Sequence, residues 1–254
     1  NPTKLKDSLR NAFAAAASSA TSASNVASNS GRIAGDTRIY QASFVPVDWT
    51  GNVLAFPITL SGVGAASSWR ADEQLPLWNS RKIYMNTSAG VVDTSATAYT
   101  SLPAGDRTLL VNDNTYRYIR GDKSKEVVNG GSLRNRSSIL GDIIHSSPTY
   151  EPDSKNLYVG ANDGMLHVFD GATGAEKFAF IPNQVIPRLK NLTAPNYSTN
   201  HEYFVDGDVQ VGFKTLESNS KKYIYSQLGR GGKGVFSIDP STTIPTLTWE
   251  YTPV

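Results

Sequence analysis

The stretch NLYVGANDGMLHVFDGATGAEKFAFIP, residues 156–182, decides how the rest of the chain reads. Apolar residues alternate with small ones over 157–160, 165–169 and 177–181. The first two runs are joined by Asn162-Asp163-Gly164, a turn in which Asp-Gly favours positive φ. The next two are joined by Asp170-Gly171-Ala172-Thr173-Gly174. Three short strands on tight turns predict an up-and-down antiparallel meander. Downstream, GGKGVFSIDPSTTIPTLTWEY (231–251) repeats the order of NDGMLHVFDGATGAEKFAF: glycine turn, apolar strand, Asp, Thr-bearing turn, aromatic strand. Two imperfect copies of a sheet predict blades of a β-propeller. The insertion 183–201 accounts for the longer spacing between the copies.

Working outward, HEYFVDGDVQVGFKTL (201–216) predicts two strands around Asp206-Gly207, and 221–252 predicts three more. IIHSSPTY (143–150) predicts a short strand with Pro148 at its edge. Residues 38–60 form a hairpin around Asp48-Trp49-Thr50-Gly51-Asn52, with Trp49 packing across the pair. Residues 61–135 read as an irregular insertion with one short strand near 82–85; the run 109–120 admits helix or strand, and 113–119 is taken as helix. Residues 1–17 read as a helix, with Asn1 as cap and Pro2 at the first helical position. Residues 18–30, SSATSASNVASNS, have no periodicity and no charge and read as a flexible linker. The domain division is then 1–30 for helix and linker and 31–254 for part of a propeller, with clear blades over 136–254. A blade takes ~40–45 residues and a ring closes with four to eight. The expectation is therefore an incomplete propeller in a piece of a longer protein.

Composition narrows the function classes. The net charge is +2 over 254 residues, so charge gives no support to nucleic-acid binding. There are no cysteines, which removes disulfide scaffolds, thiolate zinc sites and cysteine nucleophiles. No run reaches the ~18 apolar residues of a membrane span. His145, His167 and His201 do not stand at metal-ligand spacing. No Gly-x-Ser-x-Gly elbow is present. Gly229-Arg230-Gly231-Gly232-Lys233-Gly234 departs from the Walker loop, because a glycine follows the lysine and a strand follows the glycine. Asn162-Asp163-Gly164 and Asp206-Gly207-Asp208 carry carboxylates that can touch calcium, but neither supplies six to eight oxygens locally, and both read as turns.

Arg120-Gly121-Asp122 is the one candidate binding motif. A cation and an anion flanking glycine on an exposed turn is the arrangement that integrin-binding loops use. The competing reading is structural: Arg120 and Asp122 paired within the fold, Gly121 ending a helix.

Several motifs in a fixed order carry a family resemblance. They are RNRSSILGDIIHSSPTY (134–150), YVGANDGMLHVFD (158–170), FIPN (180–183), HEYFVDG (201–207) and GRGGKGVFSID (229–239), with DWTGNVLAF (48–56) and YIRGDKS (118–124) upstream. Together they resemble the PilC/PilY family of type IV pilus proteins. That resemblance implies an exported, non-enzymatic protein at the pilus tip, outer membrane or cell surface. It implies a C-terminal propeller of the quinoprotein dehydrogenase type, with this chain at its start. It also implies roles in pilus assembly, retraction control and host-cell adhesion, with minor pilins, the pilus machinery and host receptors, integrins among them, as partners. Some members bind calcium in an Asp-rich loop; no such run occurs here, so calcium is expected only in the full-length protein and no cofactor is expected in this segment. Neither nucleic acid nor a small-molecule substrate is expected. The enzymatic alternative is a quinone-dependent dehydrogenase fragment holding pyrroloquinoline quinone and Ca²⁺. It finds no cofactor motif around Trp49, Trp69, Trp78 or Trp249, and fold alone does not carry function. A structural surface propeller without a receptor role is the remaining alternative.

Overall fold

A computed structural model describes residues 22–28, 37–216 and 219–253. The helix expected over 1–17 lies outside the described residues. The described part is mainly β, in three curled sheets with few short helices.

The 156–182 stretch folds as expected. Strands β9 (Asn156–Ala161), β10 (Met165–Asp170) and β11 (Glu176–Ile181) form an antiparallel meander. With β8 (Thr149–Glu151) on β9 they make a four-stranded antiparallel unit. The outer edge of β11 is then covered by a hairpin from upstream, β6 (Ile83–Thr87) and β7 (Gly90–Asp93). β6 runs parallel to β11, pairing Ala179 with Ile83 and Ile181 with Met85. The strand expected near 82–85 is β6; its partner β7 and its parallel pairing with β11 are what the reading of 61–135 did not contain. The run IYMNT is wholly buried, and pairing it with β11 satisfies backbone groups that an open edge would leave exposed.

The last sheet orders β12 (Val209–Leu216), β13 (Asn219–Gln227), β14 (Val235–Asp239) and β15 (Thr246–Tyr251), all antiparallel. It is the second copy of the repeat. Only one strand forms in 201–216, however. Residues 201–208 carry no strand, because Phe204 and Val205 are buried as core side chains and the backbone is satisfied from outside, as in Phe204 N–H to Asn162 Oδ1 at 2.9 Å.

The first sheet joins β1 (Ser22–Ser28), β2 (Arg38–Val45), β3 (Thr50–Thr59), β4 (Gly62–Val63) and β5 (Trp69–Arg70). β1 falls inside the stretch read as linker. It pairs antiparallel with β2, and Asn25 Nδ2 donates to the carbonyls of His145 and Ser146. Low hydrophobicity is no obstacle when a ready-made edge supplies the hydrogen bonds.

Two cores tie the sheets together. Leu157, Val159 and Phe169 on one face of the middle sheet pack with Tyr40, Val53, Ala55 and Trp69 of the first. Tyr158, Leu166, Val168 and Phe180 on its other face pack with Ile224, Phe236 and Ile238 of the last. Period-2 alternation therefore serves two neighbours at once.

Candidate functional site

The helix Asp113–Arg120 begins at Asn112, whose Oδ1 accepts from Thr115 N–H at 2.9 Å, and ends at Gly121. Gly121 has φ +112°; its N–H donates to Tyr118 O at 2.9 Å and Asp122 N–H to Arg117 O at 3.0 Å. A glycine in this left-handed conformation is a standard helix stop. The candidate triplet is therefore a helix end, and it is not presented outward: Arg120 is 8% and Asp122 6% exposed. Arg120 lies over the rings of Trp78 and Tyr116, at 5.1 and 5.8 Å from their centroids. Asp122 pairs with Arg117, Nε to Oδ2 at 3.0 Å, and not with Arg120. Its Oδ1 accepts from Ser124 N–H at 2.8 Å. Burial alone would raise the Asp122 carboxyl, but the Ser124 bonds and the Arg117 charge hold it below its ordinary value. The geometry agrees with the structural reading in that Gly121 ends a helix, while Arg120 packs on Trp78 and Tyr116 and Asp122 pairs with Arg117. Gly121→Ala is expected to cost at least ~1 kcal/mol in a urea titration, because a Cβ would meet Ile139 Cδ1 at 2.8 Å at a strained φ.

Two arginines fasten this helix end to the rest of the molecule. Arg136 stacks on Tyr118 at 3.5 Å, donates from Nε to Glu126 at 2.9 Å, and donates to the carbonyls of Tyr118 and Asp122. Arg134 lies over Tyr197 at 4.2 Å and donates to the carbonyls of Asp48 and Trp49. The motif RNRSS is thereby a clamp on three segments. Beside it, Trp49, Arg134, Arg136, Asn162 and Asp163 help line a cavity of about 20 Å³, room for one water.

The clamp leads to a junction built on His145 and His201. Asn162 Nδ2 donates to Asp142 Oδ2 at 2.8 Å and Asp206 Oδ1 at 3.3 Å. Each carboxylate holds an imidazole: Asp206 Oδ2 accepts from His145 Nδ1 at 2.6 Å, and Asp142 Oδ2 from His201 Nε2 at 2.8 Å. Burial pushes the Asp142 carboxyl up, against the hydrogen bond from His201. Trp49 stacks on His201 with centroids 3.8 Å apart, and Tyr203 meets His201 edge-on at 4.9 Å. Trp49 adopts φ +51° at its hairpin turn, and its indole N–H donates to Ser198 O at 3.0 Å. His145 stays exposed beside Tyr203, and Arg230 lies over the outer side of Tyr203 at 5.6 Å. The result is a surface of aromatic, imidazole and guanidinium groups suited to protein contact.

Behind it lies a second network, buried except for the partly exposed Asp163. Arg81 makes a bidentate pair with Glu176, both bonds at 2.7 Å, and donates from Nη1 to Arg120 O at 3.1 Å. His167 Nδ1 meets Glu176 Oε1 at 2.9 Å, while Nε2 meets Asp163 at 3.1 Å. Carboxylates accept only, so both ring nitrogens carry protons and His167 is an imidazolium. Burial opposes that charge, yet the two carboxylates push the His167 pKa up to about 9. Asp163 also accepts from Gly141 N–H at 2.9 Å. The Asp163-Gly164 turn is thus an anchor for buried charge.

Sequence reasoning placed the turns, but it did not find the networks. His167 and Glu176 are paired across neighbouring strands, whereas Arg81 arrives from 95 residues away. Among the described residues, no three His, Asp or Glu side chains are grouped to hold a metal ion. None of the described helices is long and apolar enough to cross a membrane.

Residues 140–250 match the family described as the PilY1 β-propeller domain. The type IV pilus biogenesis factor PilY1 homolog of Xylella fastidiosa is 32% identical over 98% of this chain. The type IV pilus biogenesis factor PilY1 of Pseudomonas aeruginosa strain PAK is 32% identical over 83% of it. The chain spans 22% of the length of each of these relatives. The crystal structure of the Pseudomonas aeruginosa PilY1 C-terminal domain matches 38% of this chain and 18% of its own at 35% identity, with a TM-score of 0.27. With matched sequence running through the clamp, the histidine junction and the repeated sheets, the chain belongs to the PilC/PilY family of type IV pilus proteins and carries β-propeller sheets of the PilY1 type.

Proposed function

We propose that this chain is a non-enzymatic interaction module of a type IV pilus biogenesis factor, working at the pilus tip, outer membrane or cell surface through protein–protein contacts. The observation that carries this reading is kinship along 98% of the chain with a protein named as a pilus biogenesis factor. The surface around Trp49, His145, Tyr203 and Arg230 supports it, since aromatic and arginine side chains are enriched where proteins bind one another. Minor pilins are the proposed partners in assembly and in control of retraction, and host receptors are the proposed partners in attachment.

Pull-down of purified minor pilin subunits by the chain tests the reading. Binding that weakens at least ten-fold in Tyr203→Ala, with an unchanged urea midpoint, supports it; absence of pilin binding by the wild-type chain contradicts it. Receptor contact through Arg120 and Asp122 requires the helix end to open, because both side chains lie inside the fold. Asp122→Ala separates the roles. A lowered urea midpoint with integrin binding unchanged marks a structural turn, whereas lost integrin binding at unchanged stability marks a receptor contact.

A further inference from the structure

The glycine-rich stretch Gly229-Arg230-Gly231-Gly232-Lys233-Gly234 is no phosphate loop, yet it holds two cations to which the fold gives no counterion. It joins β13 to β14 and packs against 203–207. Asp206 N–H donates to Leu228 O and Gly207 N–H to Gln227 O, both at 3.1 Å. A Cβ on Gly231 would come within 1.7 Å of Phe204 O, so only glycine lets the two backbones approach this closely. Arg188 locks the contact: it donates to the carbonyls of Tyr203 and Gly231 and lies over Phe204 at 4.9 Å.

This packing sets Arg230 over the Tyr203 ring, 5.6 Å from its centroid. Arg230 and Lys233 are both exposed, and neither makes a hydrogen bond or an ion pair with the described residues. Asp208, the exposed carboxylate nearest in sequence, pairs with neither. Tyr203 Oη is also without a hydrogen bond among the described residues. His145 meets the same ring, with centroids 5.7 Å apart. Asp206, 1% exposed, fixes His145 twice: Oδ2 accepts from Nδ1 at 2.6 Å and Oδ1 from the backbone N–H at 3.2 Å. A carboxylate only accepts, so Nδ1 carries a proton, and Nε2 is left without a partner among the described residues. The His145 side chain is 43% exposed. The cluster lies where loops of the middle and last sheets meet, so described residues build it from both sides.

Free donors grouped around one aromatic ring call for an acceptor that carries negative charge. A guanidinium fork matches the plane of a carboxylate. A net charge of +2 supplies no long-range field for a polyanion such as nucleic acid. We infer that Arg230, Tyr203 and His145 form a carboxylate-binding site that takes an acidic side chain of a partner protein, with Lys233 adding a second charge from the same loop. This site rests on the protein-contact function proposed above and names the chemistry of that contact.

Two measurements test the site. In the first, NMR follows the Arg230 Nε–H and the His145 ring of the 254-residue chain during titration with acetate, and separately with inorganic phosphate. Acetate is expected to move both signals in the wild-type chain, and to leave the His145 ring unmoved in Arg230→Gln. In the second, purified minor pilin subunits are pulled down by wild type, Arg230→Gln and Arg230→Lys. Arg230→Gln is expected to weaken binding by about ten-fold or more at an unchanged urea midpoint, and Arg230→Lys to restore part of it. Signals that acetate does not move overturn the site, and a larger response to phosphate than to acetate overturns its assignment to a carboxylate. Pilin binding left intact by Arg230→Gln overturns it as the contact while leaving the proposed function standing. A wild-type chain that binds no pilin contradicts the proposed function, and the acetate titration still decides the site.

Discussion

Arg81→Ala is expected to destabilise the chain by about 3–5 kcal/mol, the range for breaking one side of a buried ion pair. Arg81 is wholly buried and both its bonds to Glu176 are 2.7 Å long. Removing it leaves a buried carboxylate without its bidentate partner and frees the Arg120 carbonyl at the helix end. The penalty is thus desolvation without compensation, not merely one lost contact. Lys82, next in sequence with its side chain exposed, is the control: Lys82→Ala is expected to stay within about 0.5 kcal/mol. The double variant Arg81→Met/Glu176→Leu removes both charges and is expected to recover part of the loss. Urea titrations of the four proteins decide the matter. An Arg81→Ala midpoint equal to that of Lys82→Ala would show that the pair does not hold the middle sheet.

His167 is expected to make stability depend on pH in a defined window. Its pKa is raised from 6.5 to about 9 in the folded chain. A raised folded pKa stabilises below the unfolded pKa, and that contribution declines as pH rises from 6.5 to 9. The shift corresponds to about 3 kcal/mol. Glu176 acts at the other end: burial opposes its charge, but Arg81 and His167 pull its pKa down to about 2 from 4.5. Its contribution is present above pH 4.5 and is lost as pH falls towards 2. These two groups together favour a plateau between about pH 4.5 and 6.5. His167→Gln keeps a hydrogen-bonding side chain without the titrating charge. The difference in urea stability between wild type and His167→Gln is expected to shrink steadily from pH 6.5 to 9. A difference that stays constant over that range would show that His167 is neutral when buried.

The sequence was most legible where local turns set the register. Asp-Gly and Thr-Gly turns bounded β9, β10 and β11, and the spacing of VFSID from TLTWEY located β14 and β15. The helix over 113–119 was chosen over a strand, with Gly121 available as its stop; its cap Asn112 is seen only in the fold. Long-range pairing was not. Nothing in IYMNT says that it will run parallel to β11, because register and partner are chosen by the sheet it joins. SASNVAS looks like linker and becomes a strand for the same reason. The candidate triplet left its exposure open, because a three-residue pattern carries no information on burial; Trp78 and Arg117 supply that, from outside it. The histidines were dismissed individually on spacing, and individually that was sound. Their role emerges only when Asp142, Asp163, Glu176 and Asp206 are brought to them by separate strands and loops.

The most direct measurement is a count of surface pili by electron microscopy. Cells lacking the gene for this protein are compared with the same cells carrying it back. A role in pilus biogenesis predicts few or no pili in the deleted cells and restored pili in the complemented ones. Normal piliation in the deleted cells would contradict that role.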